Sequence, residues 1–427
     1  MTTRLSPRAI GLAGAIFGGL PFVLLGAFAL CLSAQTPGSD TLRLSEAVQM
    51  ALQANPMLRA TRASAVAAAQ RVGPAGALPD PEIQFERMRP TYGFNLMAID
   101  QVMLMQMIPF PGKQGSARSA AKHTAAATSA DADEQARMLA AQVRMHYFDI
   151  AYADRALEVM RRTRGLLRDF LEVSTTMYAV GSAVQQDVLR AQIEVGRMAE
   201  EITRMTQERL AMVTRLNALL GRGTAIPIPA LELPEPTGEL PEADSLIARA
   251  LQARPALRAG VERVAAAEAS LSGARREFLP DVKLGLGYQW WPTLPPLVNF
   301  MVGVNLPVFA PWKQLAMRRQ MAAMRDMSQA ELLNLRNETV ARIIETRARA
   351  EQDRNLARLY RTAIVPQART AVQAALASYR VGRLSFMELI DNQMTVNRYD
   401  TETYRLFADY HQAVSDLEAW VGGPVEE

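Results

Sequence analysis

Cysteine is all but missing from this chain: Cys31 is the only one in 427 residues. It falls in an N-terminal leader, so the remainder can form no disulfide and no thiolate metal site. Histidine is nearly as scarce. His123, His146 and His411 are the full set, none has a partner at H-E-x-x-H spacing, and no phosphate-cradling glycine loop is present. An enzyme is therefore not expected, nor a cofactor or resident metal, and each histidine is assigned to a helix surface or seam. Aromatics make up 6% against 49% hydrophobic residues, so Ala, Leu, Val, Ile and Met supply most apolar content. That mix favours long helices over a sandwich or propeller. Charge of one sign is also lacking. The formal net charge is +4, and setting aside Arg4 and Arg8 of the leader leaves about +2, too little for a nucleic-acid partner.

Long apolar runs are absent too, with one exception. Arg4 and Arg8 precede an uncharged stretch from Ile10 to Leu32 that ends in Ser33, Ala34 and Gln35. A basic start, an apolar middle and a small-residue exit describe a secretory signal, assigned to 1–34. The stretch exceeds the usual signal core, so an uncleaved inner-membrane anchor is the other reading. Pro21 and the absence of a basic stop-transfer cluster favour cleavage. Leu30 makes a poor lipobox before Cys31, which reads as an apolar leader residue. No other segment offers about 18 apolar residues in a row, so contact with a membrane must be made by strands.

What the chain does contain is written twice. ALQANPMLRA at 51–60 recurs as ALQARPALRA at 250–259, PFPGK at 109–113 echoes PVFAPWK at 307–313, and Tyr178 to Gly181 echoes Tyr379 to Gly382. The copies span 35–226 and 244–422, with a Pro-rich linker at 227–243 and a short tail at 423–427. In the first copy a helix begins near Ser45, a candidate N-cap, and a second begins at Pro56. Strands follow at about 83–89 and 101–108, then a long helix over 114–179 and a return helix over 184–220. The second copy predicts strands at about 282–291 and 300–306 and helices over 314–379 and 384–420. A helix of about 66 residues measures roughly 100 Å, far beyond what a globular core needs. Val184, Val188, Ala191, Val195, Met198, Ile202, Met205, Met212, Leu216 and Leu219 form a seam of 3.5-residue period broken at Arg209. Leu389, Val396, Tyr399, Leu406, Tyr410, Ala413, Leu417 and Trp420 repeat it, with Asn392 and Thr403 as exceptions. Such a period implies coiled-coil packing.

The second strand pair carries one apolar face (Val282, Leu284, Leu286, Tyr288) and ends in Trp290 and Trp291. The first is less regular, since the face begun by Ile83 and Phe85 reaches Arg87 and Arg89. Four strands are fewer than a closed barrel needs, and open edges are intolerable in lipid, so spanning strands demand oligomerisation.

Two copies of helix, strand, strand, long helix and return helix resemble the TolC-like outer-membrane efflux factors. The Asn55-Pro56 junction, the PFPGK exit and the tips YAVGSAVQQDVL and YRVGRLSFMELID carry the likeness from about Leu42 to Gly422. The resemblance implies a mainly α fold with a small β part. Its long helical hairpins would build a trimeric α-barrel, capped by a twelve-stranded β-barrel in outer-membrane lipid. It also implies a passive duct working with a periplasmic adaptor (membrane fusion) protein and an inner-membrane pump, the RND type being one candidate. On that pattern Val180, Gly181 and Ser182 with Val381, Gly382 and Arg383 form adaptor-docking tips. Glu388 and Asp391 match two acidic residues that narrow the family's tunnel; three copies would form carboxylate rings favouring cations and raising one another's pKa. A solvated helix face is the plainer reading. Asp187 and Tyr379 match two members of a closing network whose Arg position holds Leu384 here, with Arg383 one residue earlier.

Gly165 and Pro366 occupy equivalent positions in the two long helices and are expected to mark bends that let the tips splay. The alternative to a duct is a membrane-anchored periplasmic coiled-coil adaptor or scaffold, which would not need the strand pairs. Substrate is not legible. PFPGK and Ile364-Val365-Pro366 resemble the metal-efflux branch, and Met103, Met105 and Met107 share a strand face, either as soft ligands for Cu(I) or Ag(I) or as apolar filler.

Overall fold

A computed structural model describes residues 42–88, 99–291 and 295–425; the leader, Cys31 and Arg89 lie outside them. Each copy opens with a short helix and a proline-started one: α1 (Leu44–Ala54) and α2 (Pro56–Gln70), with a turn of helix α3 (Val72–Ala75). The cap of α1 is Arg43, two residues earlier than Ser45, and its backbone N–H donates to Glu46 Oε2 at 3.4 Å. Asn55 caps α2: its Oδ1 accepts from the N–H of Met57 and Leu58 at 2.9 and 3.1 Å, while Nδ2 donates to Leu219 O at 3.0 Å.

Two strands follow, β1 (Glu82–Met88) and β2 (Ile99–Ile108), then α4 (Lys113–Ala179) and α5 (Gln185–Leu219). At 67 residues, α4 is roughly 100 Å long. It buries Leu139, Val143, Ile150, Leu157 and Leu167, largely at heptad spacing. The second copy comprises α6 (Ala243–Ala253), α7 (Pro255–Arg276), β3 (Asp281–Trp290), β4 (Leu297–Asn305), α8 (Gln314–Leu359), α9 (Val365–Arg380) and α10 (Phe386–Val421). Between α8 and α9 the helix does not run on in α geometry; Tyr360–Ile364 form a π turn. Helix α4 packs on α5, α7 and α10, and α10 packs on α8.

The seams explain their own exceptions. Ala191, Met198 and Leu216 in α5, and Leu389, Tyr410 and Leu417 in α10, are fully buried. Arg209, the break in the α5 seam, pairs with Asp154 and donates to Ile228 O and Pro229 O at 3.1 and 3.3 Å. Thr403 turns its hydroxyl to Tyr399 O at 2.8 Å.

The proline-rich segment 227–243 is strapped to the helices. Ile228, Leu231 and Leu233 are buried in the largest apolar cluster. Leu231 N donates to Asp154 Oδ2, Arg347 to Pro241 O, Arg354 to Gly238 O, and Arg361 pairs with Glu235. The ring of His411 stacks on Phe148 at 4.8 Å and contacts Pro234 O at 3.0 Å.

The four strands form one antiparallel sheet in chain order, β1-β2-β3-β4. Its register sorts residues onto two faces. One carries Ile83, Leu104, Leu286 and Phe300 across one rung and Phe85, Val102, Tyr288 and Val298 across the next. Phe300 is 82% exposed, a state that water penalises and lipid does not. The less regular first pair is accounted for as well. Arg87 lies opposite Asp100 and binds it with two hydrogen bonds, 2.5 and 2.8 Å, level with Trp290 at the strand end. Lys113 of PFPGK, its side chain buried, reaches Asp281 Oδ1 at 2.8 Å and so ties the first copy's long helix to the second copy's sheet.

Candidate functional site: the helix tips and the sheet

Both long helices stop in the same way because both meet a glycine. Gly181 and Gly382 take φ of +73° and +69°, a left-handed conformation that costs other residues about 1–2 kcal/mol. Ser182 N then donates to Met177 O at 2.8 Å, and Arg383 N to Ser378 O at 2.9 Å. This is the Schellman arrangement that satisfies the final carbonyls of a helix. Neither glycine has another atom where a β-carbon would stand, so the turn is open. Val180 and Val381 project beside them, 71% and 67% exposed. Each tip thus presents an apolar side chain on a tightly closed turn, together with Ser182 in one and Arg383 in the other.

Behind the tips, α4, α5, α9 and α10 share an apolar cluster that includes Leu167, Phe170, Ala191, Met198, Tyr379, Phe386, Leu389 and Ile390. Tyr379 is buried and its ring lies 5.4 Å from that of Phe386. Asp187, in the first turn of α5, faces it from the other hairpin. Burial, then the charge of Asp187 and its pull on the hydroxyl, push the Tyr379 phenol up to about 12. Burial likewise raises Asp187, with Tyr379 opposing. The contact is loose: the Tyr379 hydroxyl has no partner that meets hydrogen-bond geometry. Leu384 packs into the same cluster, while Arg383 is exposed. Among the described residues no ion pair joins Arg383 to Asp187.

Glu388 and Asp391 are both exposed near the start of α10, but they are not equivalent. Ser385 is the N-cap of this helix: its N–H and hydroxyl donate to Glu388 Oε2 at 3.1 and 3.0 Å, and Glu388 N donates back to Ser385 Oγ at 3.3 Å. The carboxylate of Glu388 is held by a capping box, and only that of Asp391 is left to face solvent unengaged by a cap. The S-x-x-E signature of this box is present in the sequence at 385–388. The α5 tip has Val184 at its cap and no side-chain cap bond.

Gly165 lies inside α4 without interruption of the helix. Pro366 sits in the first turn of α9, directly after the π turn. Proline lacks an N–H and crowds the carbonyl four residues back, and a wide turn at that point accommodates both.

Two tandem helical hairpins closed by glycine, on a four-stranded sheet with one apolar face and outer edges unpaired among the described residues, define a protomer of an oligomeric transmembrane duct. The chain belongs to the outer membrane efflux protein family, whose sequence profile matches residues 47–222 and 246–423. No curated protein matches it significantly. It is similar in structure to CusC (TM-score 0.79, 16% identity, covering 89% of this chain and 92% of that one). It is also similar to VceC of Vibrio cholerae (0.76, 18%, 90% and 97%) and to the open MtrE channel of Neisseria gonorrhoeae (0.75, 19%, 90% and 90%).

Channels of this family are trimeric passive ducts of the outer membrane with a long periplasmic helical barrel, rather than enzymes, and serve tripartite efflux. Three copies of this four-stranded sheet supply twelve strands. Among the described residues no helix is long and apolar enough to cross a membrane.

Proposed function

We propose that this trimer is the exit duct for an inner-membrane pump, of which the RND type is the leading candidate, and that both glycine tips dock on a periplasmic adaptor. One observation carries the reading: among the described residues, β1 and β4 have unpaired outer edges beside an apolar face that no other element covers. Lipid tolerates the face and not the edges, so neighbouring copies must close the sheet. A periplasmic scaffold has no use for such a face and is not favoured.

Docking is assigned to Val180, Gly181 and Ser182 and to Val381, Gly382 and Arg383, because tight turns there hold apolar side chains out with little conformational freedom to lose. The gate is assigned to Asp187 and Tyr379, with Asp391 setting charge selectivity, Glu388 joining it only when freed from its cap, and Arg383 reaching a neighbouring copy. In a deletion strain, a Val180→Asp/Val381→Asp variant should fractionate with the outer membrane as a trimer. It should lose efflux and co-purification with the adaptor. Full efflux by that variant would refute docking through the tips.

A further inference from the structure

The face of the sheet opposite the lipid side has an unusual composition. Its central rungs read Glu82–Met105–Gly285–Met301, Gln84–Met103–Gly287–Asn299 and Met107–Lys283–Gly303. Across these three rungs methionine is the sole apolar side chain, among Glu, Gln, Asn, Lys and glycine. A barrel interior is normally polar, and hydrophobic burial in lipid cannot be the reason for these residues because they point away from it. The glycines make the arrangement possible. Gly285 and Gly287 are the buried residues of β3. A β-carbon built on Gly285 would meet Met301 Cε at 3.1 Å and Met103 Sδ at 3.7 Å. The side chains from β2 and β4 therefore converge over the bare backbone of β3, with Met105 directly opposite Gly285.

We infer that Met103, Met105 and Met301 form a thioether site for soft monovalent cations, Cu(I) or Ag(I), on the wall of the duct. Thioethers prefer such ions over hard divalent ones, and no competing thiolate exists beyond Cys31. The surroundings favour a cation at this level: Glu82 shares the rung of Met105, and the Oδ1 of Asn299, which lies over Gly287, has no hydrogen-bond partner. Lys283 stands on the rung of Met107 and repels a cation there, which places the site toward Met103 and Met105. A duct must release what it binds, so three neutral donors, open to the lumen, make a stepping stone and not a trap. The inference rests on the duct reading, in which this face lines the lumen.

The test uses the full-length trimer in detergent with Ag(I) as the probe, in the absence of chloride. Wild type should retain Ag(I) in equilibrium dialysis and show Ag–S scattering in X-ray absorption. Met103→Leu/Met301→Leu, which keeps volume and apolarity, should lose at least one Ag(I) per chain while remaining trimeric. A control, Met324→Leu/Met387→Leu, removes two exposed methionines and should leave retention unchanged. Absence of Ag(I) from wild type, or equal retention and Ag–S signal in the Met103/Met301 variant, would overturn the site. Either result would leave the duct intact, because outer-membrane fractionation and trimer formation are scored on the same preparations.

Discussion

Arg209 and Asp154 meet in a two-pronged ion pair, Nε to Oδ1 at 2.5 Å and NH2 to Oδ2 at 3.2 Å, between α5 and α4. The same two residues hold the 227–243 segment, Arg209 through Ile228 O and Pro229 O and Asp154 through Leu231 N. Arg209→Met leaves Asp154 enclosed and short of its main partner, at a cost of about 2–3 kcal/mol. Chemical denaturation should show that loss, and limited proteolysis should cut sooner within 227–243. Asp154→Leu added to Arg209→Met should restore much of the stability, since no unpaired charge then remains.

Asp353 provides a pH dependence. Burial, and then the charge of Asp409, raise its carboxyl to about 6, with Arg349 at 3.9 Å opposing. Asp409 is itself raised by burial and by Asp149, with Arg405 and Arg349 opposing. A folded-state pKa above the unfolded one means that folding favours the protonated form. The stability this gives is fully present below about pH 4 and is lost as pH rises through about 6. Asp353→Asn should therefore be more stable than wild type at pH 7.5, by about 2 kcal/mol, and near equal at pH 4. Unfolding midpoints at the two pH values decide it.

Pro366→Ala restores an N–H and removes the ring that the π turn accommodates. Helix α8 should then run regularly into α9, straightening the strut. Efflux should fall while trimer yield stays unchanged; spin labels placed on either side of 360–364 should report a narrower distance distribution. Undiminished efflux would remove this bend from the opening motion.

Ser385→Ala breaks the capping box. The tip end of α10 should lose about 1 kcal/mol, and Glu388 should swing free to join Asp391. In planar bilayers the variant should be more cation-selective than wild type, read as a shift in reversal potential across a salt gradient. Glu388→Gln should move selectivity little in comparison, because its carboxylate is already engaged.

Much of this is legible in the sequence because the signals are local or repeated. The tip glycines recur with the same neighbours, and heptads declare their seam whatever lies across it. Legibility fails where a partner is remote. Arg209 looks like a flaw in the seam until Asp154 is placed 55 residues upstream. Pro366 announces a disturbance but not that the accommodation precedes it as a π turn. Ser385 and Glu388 display their capping box openly, at the spacing that also suits a carboxylate ring. Met301 is separated from Met103 by an entire copy, so only the strand register shows that they converge.

The segment 227–243 is fastened to the second copy as well as the first. Its fastenings reach α8 through Arg347 and Arg354, and the π turn through Arg361. A cuff secured at that level acts as a fulcrum. Beyond it, α9 and the tips run on for roughly 30 Å, held to one another by their shared apolar cluster and not by this segment. If the tips splay as proposed, dilation is confined to the far end, and the mouth widens without loosening the sheet.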